Sequence, residues 1–282
     1  MVRIILSGGI GNQLFQYSAA RALSLENNAD LIIDKPTAKS IKNWRGYALS
    51  YFQVDAKQSE LLTSIFRKLM LNKNFYLWIN ESVFFEKNKF SFYDDFFKLP
   101  KNTTLFGYFQ NEKYFKGHEH QIRRDLKFSN LKLDNKSIRV CDLINNSNSV
   151  SVHVRRGDYV NSSIFDVCTP TYYKKAIDLF RKNLNNPKFY FFSDDIKWCR
   201  DVFSDSDYSF CDLEQARKNP LVDLYLMSQC KHNIIANSTF SWWGAWLNSY
   251  SSKSVAAPYM WFKKPNDPVN DIICKDWLKI KW

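Results

Sequence analysis

The stretch Ser149-Val-Ser-Val-His-Val-Arg-Arg-Gly-Asp-Tyr159 decides how this chain is read. Ser149 to Val154 alternates small polar with β-branched residues, the composition of a short buried strand. The strand breaks into a polar turn carrying His153, Arg155, Arg156 and Asp158, with Gly157 supplying backbone freedom. Charged side chains at the carboxyl end of a strand stand where open α/β sheets take their ligands. Arginine presents a planar fork of donors that matches phosphate oxygens two at a time. Neighbours on an extended segment point to opposite sides, so only one of Arg155 and Arg156 is expected to face a ligand. In isolation the group reads first as an Arg–Asp surface pair at a strand end. The rest of the chain changes that reading.

Downstream, strands and helices alternate. A helix is expected from Thr169-Pro170, where threonine caps and proline fits the first turn. Lys188–Ser193 reads as the next strand, followed by Asp194-Asp195 and a short helix. A brief strand near Tyr208–Cys211 precedes a helix opening at Asn219-Pro220, and Asn233–Ala236 precedes a helix over Trp242–Tyr250. Ser254–Ala257 closes the series. This spacing predicts a parallel, doubly wound sheet.

Upstream, Val2–Leu6 and Leu31–Asp34 read as strands around an apolar-faced helix carrying Leu14, Phe15, Ala19, Ala22 and Leu23. Ser7-Gly-Gly-Ile-Gly-Asn-Gln13 invites comparison with the dinucleotide fingerprint but has Leu14 at the third glycine position. A glycine turn into a helix N-terminus remains, equally a site for anions or hydroxyls and a plain strand-to-helix turn. Ser59 to Leu71 looks helical, Thr103–Tyr108 is a plausible strand and Asn111 opens another helix. Residues 75–115 hold fifteen aromatics in forty-one positions, roughly twice the chain average, which favours core packing over a sugar-facing groove. The Asn-rich segment 134–148 is taken as the boundary between domains 1–146 and 147–282.

The 282 residues suffice for one large or two medium domains, and 45% apolar content suits a sizeable core. A formal charge of +12 suits polyanionic ligands or acidic membrane surfaces. No Lys/Arg run exceeds two residues, which argues against a nucleic-acid partner. The six cysteines show neither a CxxC pair nor zinc-ligand spacing and read as small buried hydrophobes of a reduced cytosol. Met1–Leu6 is too short for a signal-peptide core and no apolar run is long enough to span a bilayer. A soluble cytoplasmic protein is expected, with membrane contact only peripheral.

Asn237-Ser-Thr-Phe-Ser-Trp-Trp-Gly-Ala-Trp246 has the form of a hydroxyl-rich helix start. Ser238, Thr239 and Ser241 suit capping or, equally, phosphate binding at the positive end of the dipole. Trp242, Trp243 and Trp246 read as packing residues. Asp223, in the apolar helix start after Pro220, reads as a first-turn acid or as an acceptor for a guanine edge.

These stretches together resemble the bacterial α-1,2-fucosyltransferases of glycosyltransferase family 11. Gly8-Gly-Ile-Gly-Asn-Gln-Leu-Phe-Gln-Tyr17, His153–Tyr159 and Asn237–Trp246 carry the likeness, supported by Tyr108–Phe115 and Phe192-Ser-Asp-Asp-Ile196. The resemblance implies a GT-B-like α/β fold of two Rossmann-like domains with a cleft between them. An N-terminal acceptor-side domain would face a C-terminal domain that binds GDP-fucose. It implies inverting transfer of L-fucose from GDP-β-L-fucose to the 2-hydroxyl of a β-galactoside, without cofactor or metal. The acceptor glycan itself stays open; if it is a lipid-linked O-antigen or capsule unit it lies on the anionic inner leaflet of the plasma membrane, which basic residues such as Arg67, Lys68 and Lys73 would meet. A more distant likeness to α-1,6- and protein O-fucosyltransferases implies that Arg155 binds the donor's β-phosphate. By the same likeness Ser238, Thr239 and Ser241 line the diphosphate, Asp223 recognises guanine and His153 lies beside the nucleoside. Asp194, Asn237 and Phe240 complete the donor-binding set, Asn12 would face the transferred sugar and Asp158 would orient the arginines. No general base is assigned. Competing readings are a metal-dependent GT-A transferase using Asp205 and Asp207, whose triplet also suits a solvated turn, and a non-catalytic sugar-nucleotide-binding module. An NAD-dependent dehydrogenase is disfavoured by the missing third glycine.

Overall fold

The structure, a computed structural model, describes residues 1–35, 46–59, 82–86, 91–263 and 271–282. The chain divides into two compact units, Met1–Asn130 and Leu131–Trp282. The helix expected from Ser59 to Leu71 lies outside the described residues, apart from Ser59 itself, which ends a strand.

In the first unit the order is β1 (Val2–Ile5), α1 (Ile10–Glu26), β2 (Leu31–Asp34), β3 (Lys57–Ser59), β4 (Ser82–Phe85), β5 (Thr103–Phe106) and α2 (Glu119–Asp125). The strands form a parallel sheet in the order β3-β2-β1-β5-β4. Helix α1 buries its expected apolar face and most of its polar one as well. Gln13 makes this tolerable by donating to the carbonyls of Gly8 and Gly46 while accepting from the Ala48 N–H. Gln16 likewise donates to Ser7 Oγ and the Gly107 carbonyl and accepts from the Ser7 N–H. A buried amide satisfied on both ends costs little and fixes the chain on either side of it. Gly8 has φ of +73°, and a Cβ there would lie 2.5 Å from Asn12 Nδ2, so the turn into α1 requires glycine.

Among the described aromatics, Phe96, Phe109 and Tyr114 are buried and meet edge to face, with centroids 4.8 Å (Phe96–Tyr114) and 5.2 Å (Phe109–Tyr114) apart. They are core. Instead of the helix expected at Asn111, a short 3-10 turn over Glu112–Phe115 follows, with the Asn111 side chain accepting from the Lys113 N–H.

The second unit runs α3 (Asn135–Asn145), β6 (Asn148–Val154), α4 (Pro170–Asn183), β7 (Pro187–Ser193), α5 (Ile196–Val202), β8 (Tyr208–Phe210) and α6 (Glu214–Lys218). It continues with α7 (Leu221–Gln229), β9 (His232–Ile234), α8 (Thr239–Leu247), β10 (Val255–Pro258) and β11 (Leu278–Ile280). All pairings are parallel, in the order β11-β10-β9-β6-β7-β8. Read from β8, this is the 3-2-1-4-5-6 order of a doubly wound dinucleotide-type sheet. Its direction reverses between β6 and β9. Val150, Val152, Phe189, Phe191 and Ile234 form the sheet side of one core cluster, covered by Tyr172, Tyr173, Ile177 and Phe180 of α4.

The division falls earlier than the 146/147 boundary read from the sequence. Gln215 of α6 accepts from the Asp134 N–H and Ser137 Oγ and donates to the Lys132 carbonyl, which ties α3 to the second unit. The polar composition of 134–148 reflects a solvated helix face; Asp134 caps that helix by accepting from the Ser137 N–H at 2.8 Å.

Asn233, buried in β9, donates to Ser151 Oγ of β6 at 2.7 Å and to the Met227 carbonyl at 2.9 Å, and accepts from Asn248 at 2.8 Å. Asn233→Ala leaves those partners unpaired in the interior and is expected to lower stability by about 2–4 kcal/mol in denaturant unfolding followed by tryptophan fluorescence. A loss under about 0.5 kcal/mol, the range of ordinary surface substitutions, contradicts a structural role for this network.

Candidate active site

Strand β6 delivers its last residues to the point where the second sheet reverses. Beyond Val154 the alternation of an extended chain sends the two arginines apart. Arg156 braces the fold. Its guanidinium lies 4.0 Å from the Trp198 ring centroid and its Nε donates to Asp195 at 3.0 Å. Asp195 also caps α5 by accepting from the Trp198 N–H at 3.1 Å, and this bond and Arg156 hold its carboxyl below the usual range.

Arg155 is held by carboxylates instead. Its Nη2 meets Asp158 at 2.5 Å and its Nη1 meets Asp194 at 2.9 Å. The other oxygen of Asp194 accepts the Arg156 N–H at 2.9 Å. Gly157 is required beside it, since a Cβ there would lie 2.6 Å from Asp194 Oδ2. A cavity of about 240 Å³ opens beside the two arginines, walled among others by Tyr159, Phe165, Thr169 and Asn237. Tyr159 stacks on Phe165 at 5.0 Å and its hydroxyl donates to the Asn237 carbonyl at 3.3 Å.

His153 is buried at the end of β6 with its ring 5.5 Å from Phe240. Burial, with the Arg155 charge adding to it, pushes its imidazole down to about 3. It is therefore neutral at pH 7 and a poor proton acceptor. Its Nδ1 is buried with no hydrogen-bond partner among the described residues. Asp223, in the first turn of α7, has a buried Oδ1 that is likewise without a hydrogen-bond partner among the described residues. Burial pushes that carboxyl up to about 7.

The loop before α8 departs from its expected role in part. The Asn237 side chain is committed to the protein: Nδ2 donates to the carbonyls of Phe165 and Trp261, and Oδ1 accepts from Cys168. Ser238 caps α8 by accepting from the Phe240 N–H at 3.3 Å. Ser241 donates to the carbonyls of Ala236 and Ser238 from a buried position. Thr239 and Phe240 are the half-buried residues of this set. Trp242 and Trp243 are fully buried packing residues, as expected. In the first unit, Asn12 sits in the first turn of α1 and accepts from Gln110 Nε2 at 2.8 Å.

Asp205 and Asp207 do not form a metal site. Arg181 takes both, at 2.8 Å and 2.7 Å, and its guanidinium lies over the Tyr208 ring. They precede β8 and so lie at the amino edge of the parallel sheet, away from the carboxyl ends where Arg155 stands. Asp195, Trp198, Tyr159 and Phe165 were not singled out by the sequence. Asp195 stands in the Asp-Asp pair after β7 and Tyr159 at the end of the arginine stretch, but neither is given a role there.

Two parallel, Rossmann-like units with a charged turn at a sheet's reversal point define the GT-B class of glycosyltransferase fold. The model of glycosyl transferase family 11 matches residues 1–281, and the chain belongs to that family. It is 36% identical to an Escherichia coli alpha-1,2-colitosyltransferase, covering 98% of this chain and 97% of that protein. It is 31% identical to the Escherichia coli O-antigen biosynthesis glycosyltransferase WbnK, covering 93% and 95%. A Mus musculus galactoside 2-alpha-L-fucosyltransferase, Sec1, is 35% identical over 45% of this chain and 34% of its own length. In fold, the chain resembles a point mutant of Arabidopsis thaliana FUT1 in complex with GDP, with TM-score 0.53 and 11% identity over 90% of this chain and 69% of that one. It also resembles NodZ alpha-1,6-fucosyltransferase soaked with GDP-fucose, with TM-score 0.50 and 15% identity over 87% and 92%. The protein is a fucosyltransferase-like glycosyltransferase.

Proposed function

We propose that this enzyme transfers L-fucose from GDP-β-L-fucose to the 2-hydroxyl of a terminal β-galactoside, inverting the anomeric centre, in the assembly of a surface glycan such as O-antigen or capsule. The observation that carries the reading is Arg155, fixed at the end of β6 at the reversal point of the sheet. The end-to-end likeness to an alpha-1,2-colitosyltransferase and the partial likeness to a galactoside 2-alpha-L-fucosyltransferase support the linkage and the acceptor.

Cleavage of the sugar–phosphate bond places charge on departing GDP. A guanidinium already oriented, together with the positive end of α8 at Thr239, stabilises that charge without reorganising. The unpartnered oxygen of Asp223 suits the N1–H and 2-amino donors of guanine, and binding them would draw its carboxyl to the ionised form. Neutral His153 and Phe240 offer an apolar wall and one imidazole nitrogen to the nucleoside. Asn237, Ser238 and Ser241 shape the loop from within. Asn12 would serve the transferred sugar. His153 is too weakly basic to take the acceptor's proton, so a displacement with developing oxocarbenium character, which asks less of a base, fits best. No metal enters this scheme.

A second donor is favoured by the colitosyltransferase likeness. Colitose is L-fucose without its 3-hydroxyl. Sites that hydrogen-bond a substrate hydroxyl reject the analogue lacking it by about 10⁴-fold or more.

With labelled GDP-fucose and GDP-colitose offered against a panel of β-galactosides, GDP-fucose is expected to be used, and NMR of the product to show an α-1,2 linkage. Transfer from GDP-colitose alone would move the assignment to the second donor. Arg155→Ala is expected to lower kcat/KM about 10²–10³-fold with the fold intact, and Arg155→Lys to recover it only in part. Activity should persist in excess EDTA; abolition would restore a metal to the mechanism.

The charge of +12 favours reversible contact with an anionic inner leaflet, where each basic residue near the surface contributes about 1 kcal/mol. Arg67, Lys68 and Lys73 lie outside the described residues, and no described helix is long and apolar enough to cross a membrane. Sedimentation with anionic but not neutral vesicles, weakening with salt, is the expected result; equal binding to both contradicts it.

A further inference from the structure

Arg155 is gripped by two carboxylates that are anchored very differently. Asp194 is seated: one oxygen meets Arg155 Nη1, the other accepts the Arg156 N–H, and the backbone leaves the Gly157 Cβ position to it. Its residue follows directly on β7, whose register against β6 runs to Val154–Ser193. The side chain is 27% exposed. Asp158 approaches from solvent, 57% exposed, on the 3-10 turn Gly157–Tyr159 that follows Arg155.

The charges around Arg155 matter for an anionic ligand. One guanidinium and two carboxylates sum to a net negative charge, and both Nη atoms are engaged. A diphosphate approaching this arrangement meets repulsion, and each Nη already faces a carboxylate. If the exposed carboxylate leaves, Arg155 and Asp194 form a neutral pair with one side of the fork exposed, still aimed by the seated partner. Exposed ion pairs are weak and readily exchanged.

We propose that Asp158 is an exchangeable place-holder on Arg155, displaced by the donor's diphosphate, while Asp194 is the positioning residue that stays and aims the guanidinium. The inference rests on the placement of the donor's phosphates at Arg155. It makes two acidic residues that touch one arginine oppose each other in their effect on binding. Loss of negative charge alone would move both variants in the same direction.

The test is calorimetric titration of the full chain with GDP and, separately, with guanosine. Asp158→Asn is expected to bind GDP about 2- to 5-fold more tightly, the scale of an exposed ion pair, with guanosine unchanged. Asp194→Asn is expected to bind GDP at least about 10-fold more weakly, since its arginine is no longer aimed. Far-UV circular dichroism and thermal unfolding report whether each variant is folded. Asp194→Ser, which keeps an acceptor for the Arg156 N–H, serves if the amide variant does not fold. Weaker GDP binding in both variants, or tighter binding in both, overturns the place-holder. GDP affinity unmoved by Arg155→Ala overturns the donor placement itself, and this inference with it.

Discussion

Strand β6 is clamped by β7 along Asn148–Val154 and by β9 along Val150–Val152, and the residues leaving its end inherit their directions from that clamp. One step of alternation sends Arg156 to Trp198 and Asp195 and leaves Arg155 to Asp158 and Asp194 at the cavity's edge. Two residues of identical chemistry acquire different work from the partners each one meets. A slip of one position would exchange them. Buried Asn233, which pairs with Ser151 of β6, guards against such a slip.

The same edge of the sheet holds polar atoms that the protein itself does not satisfy. Among the described residues, His153 Nδ1, Thr169 Oγ1 and Asp223 Oδ1 are buried without a hydrogen-bond partner. Interiors pair nearly all such groups, because an orphan costs about 1–3 kcal/mol. Burial also disfavours the charged forms of both ionisable groups, holding His153 neutral and raising the Asp223 carboxyl. A polar ligand with complementary donors and acceptors would relieve these costs when it binds. By contrast, Asp205 and Asp207 are fully engaged by Arg181 and ask for nothing further.

The strands and helices of the second unit are mostly legible in the sequence, for a physical reason. Its central strands are buried on both faces, so Lys188–Ser193 appears as a largely aromatic run and Ser149–Val154 sets only small polar residues and His153 between its valines. The strands without a legible pattern, β3, β4 and β11, are sheet edges, and Lys57–Ser59 and Leu278–Ile280 are mostly exposed. Edge strands carry little burial pattern to read. At the site, Arg155 and Asp158 stand out by their spacing and Asp223 by its odd place in an apolar helix start. Asn237, Ser238 and Ser241 read by residue type as ligand donors. Whether an amide or hydroxyl faces outward or braces its own loop depends on partners such as Phe165 and Trp261, distant in sequence. Trp198 carries no local signal at all, because its role is set by a guanidinium from another strand.

The central claim is that the second unit holds the donor nucleotide, with its diphosphate on Arg155 and its guanine on Asp223. A crystal structure of the protein with GDP tests this most directly. The account predicts a β-phosphate oxygen within hydrogen-bonding distance of the Arg155 guanidinium and the guanine N1–H and 2-amino group on the Asp223 carboxylate. A diphosphate that makes no contact with Arg155, or a guanine bound away from Asp223, would contradict it.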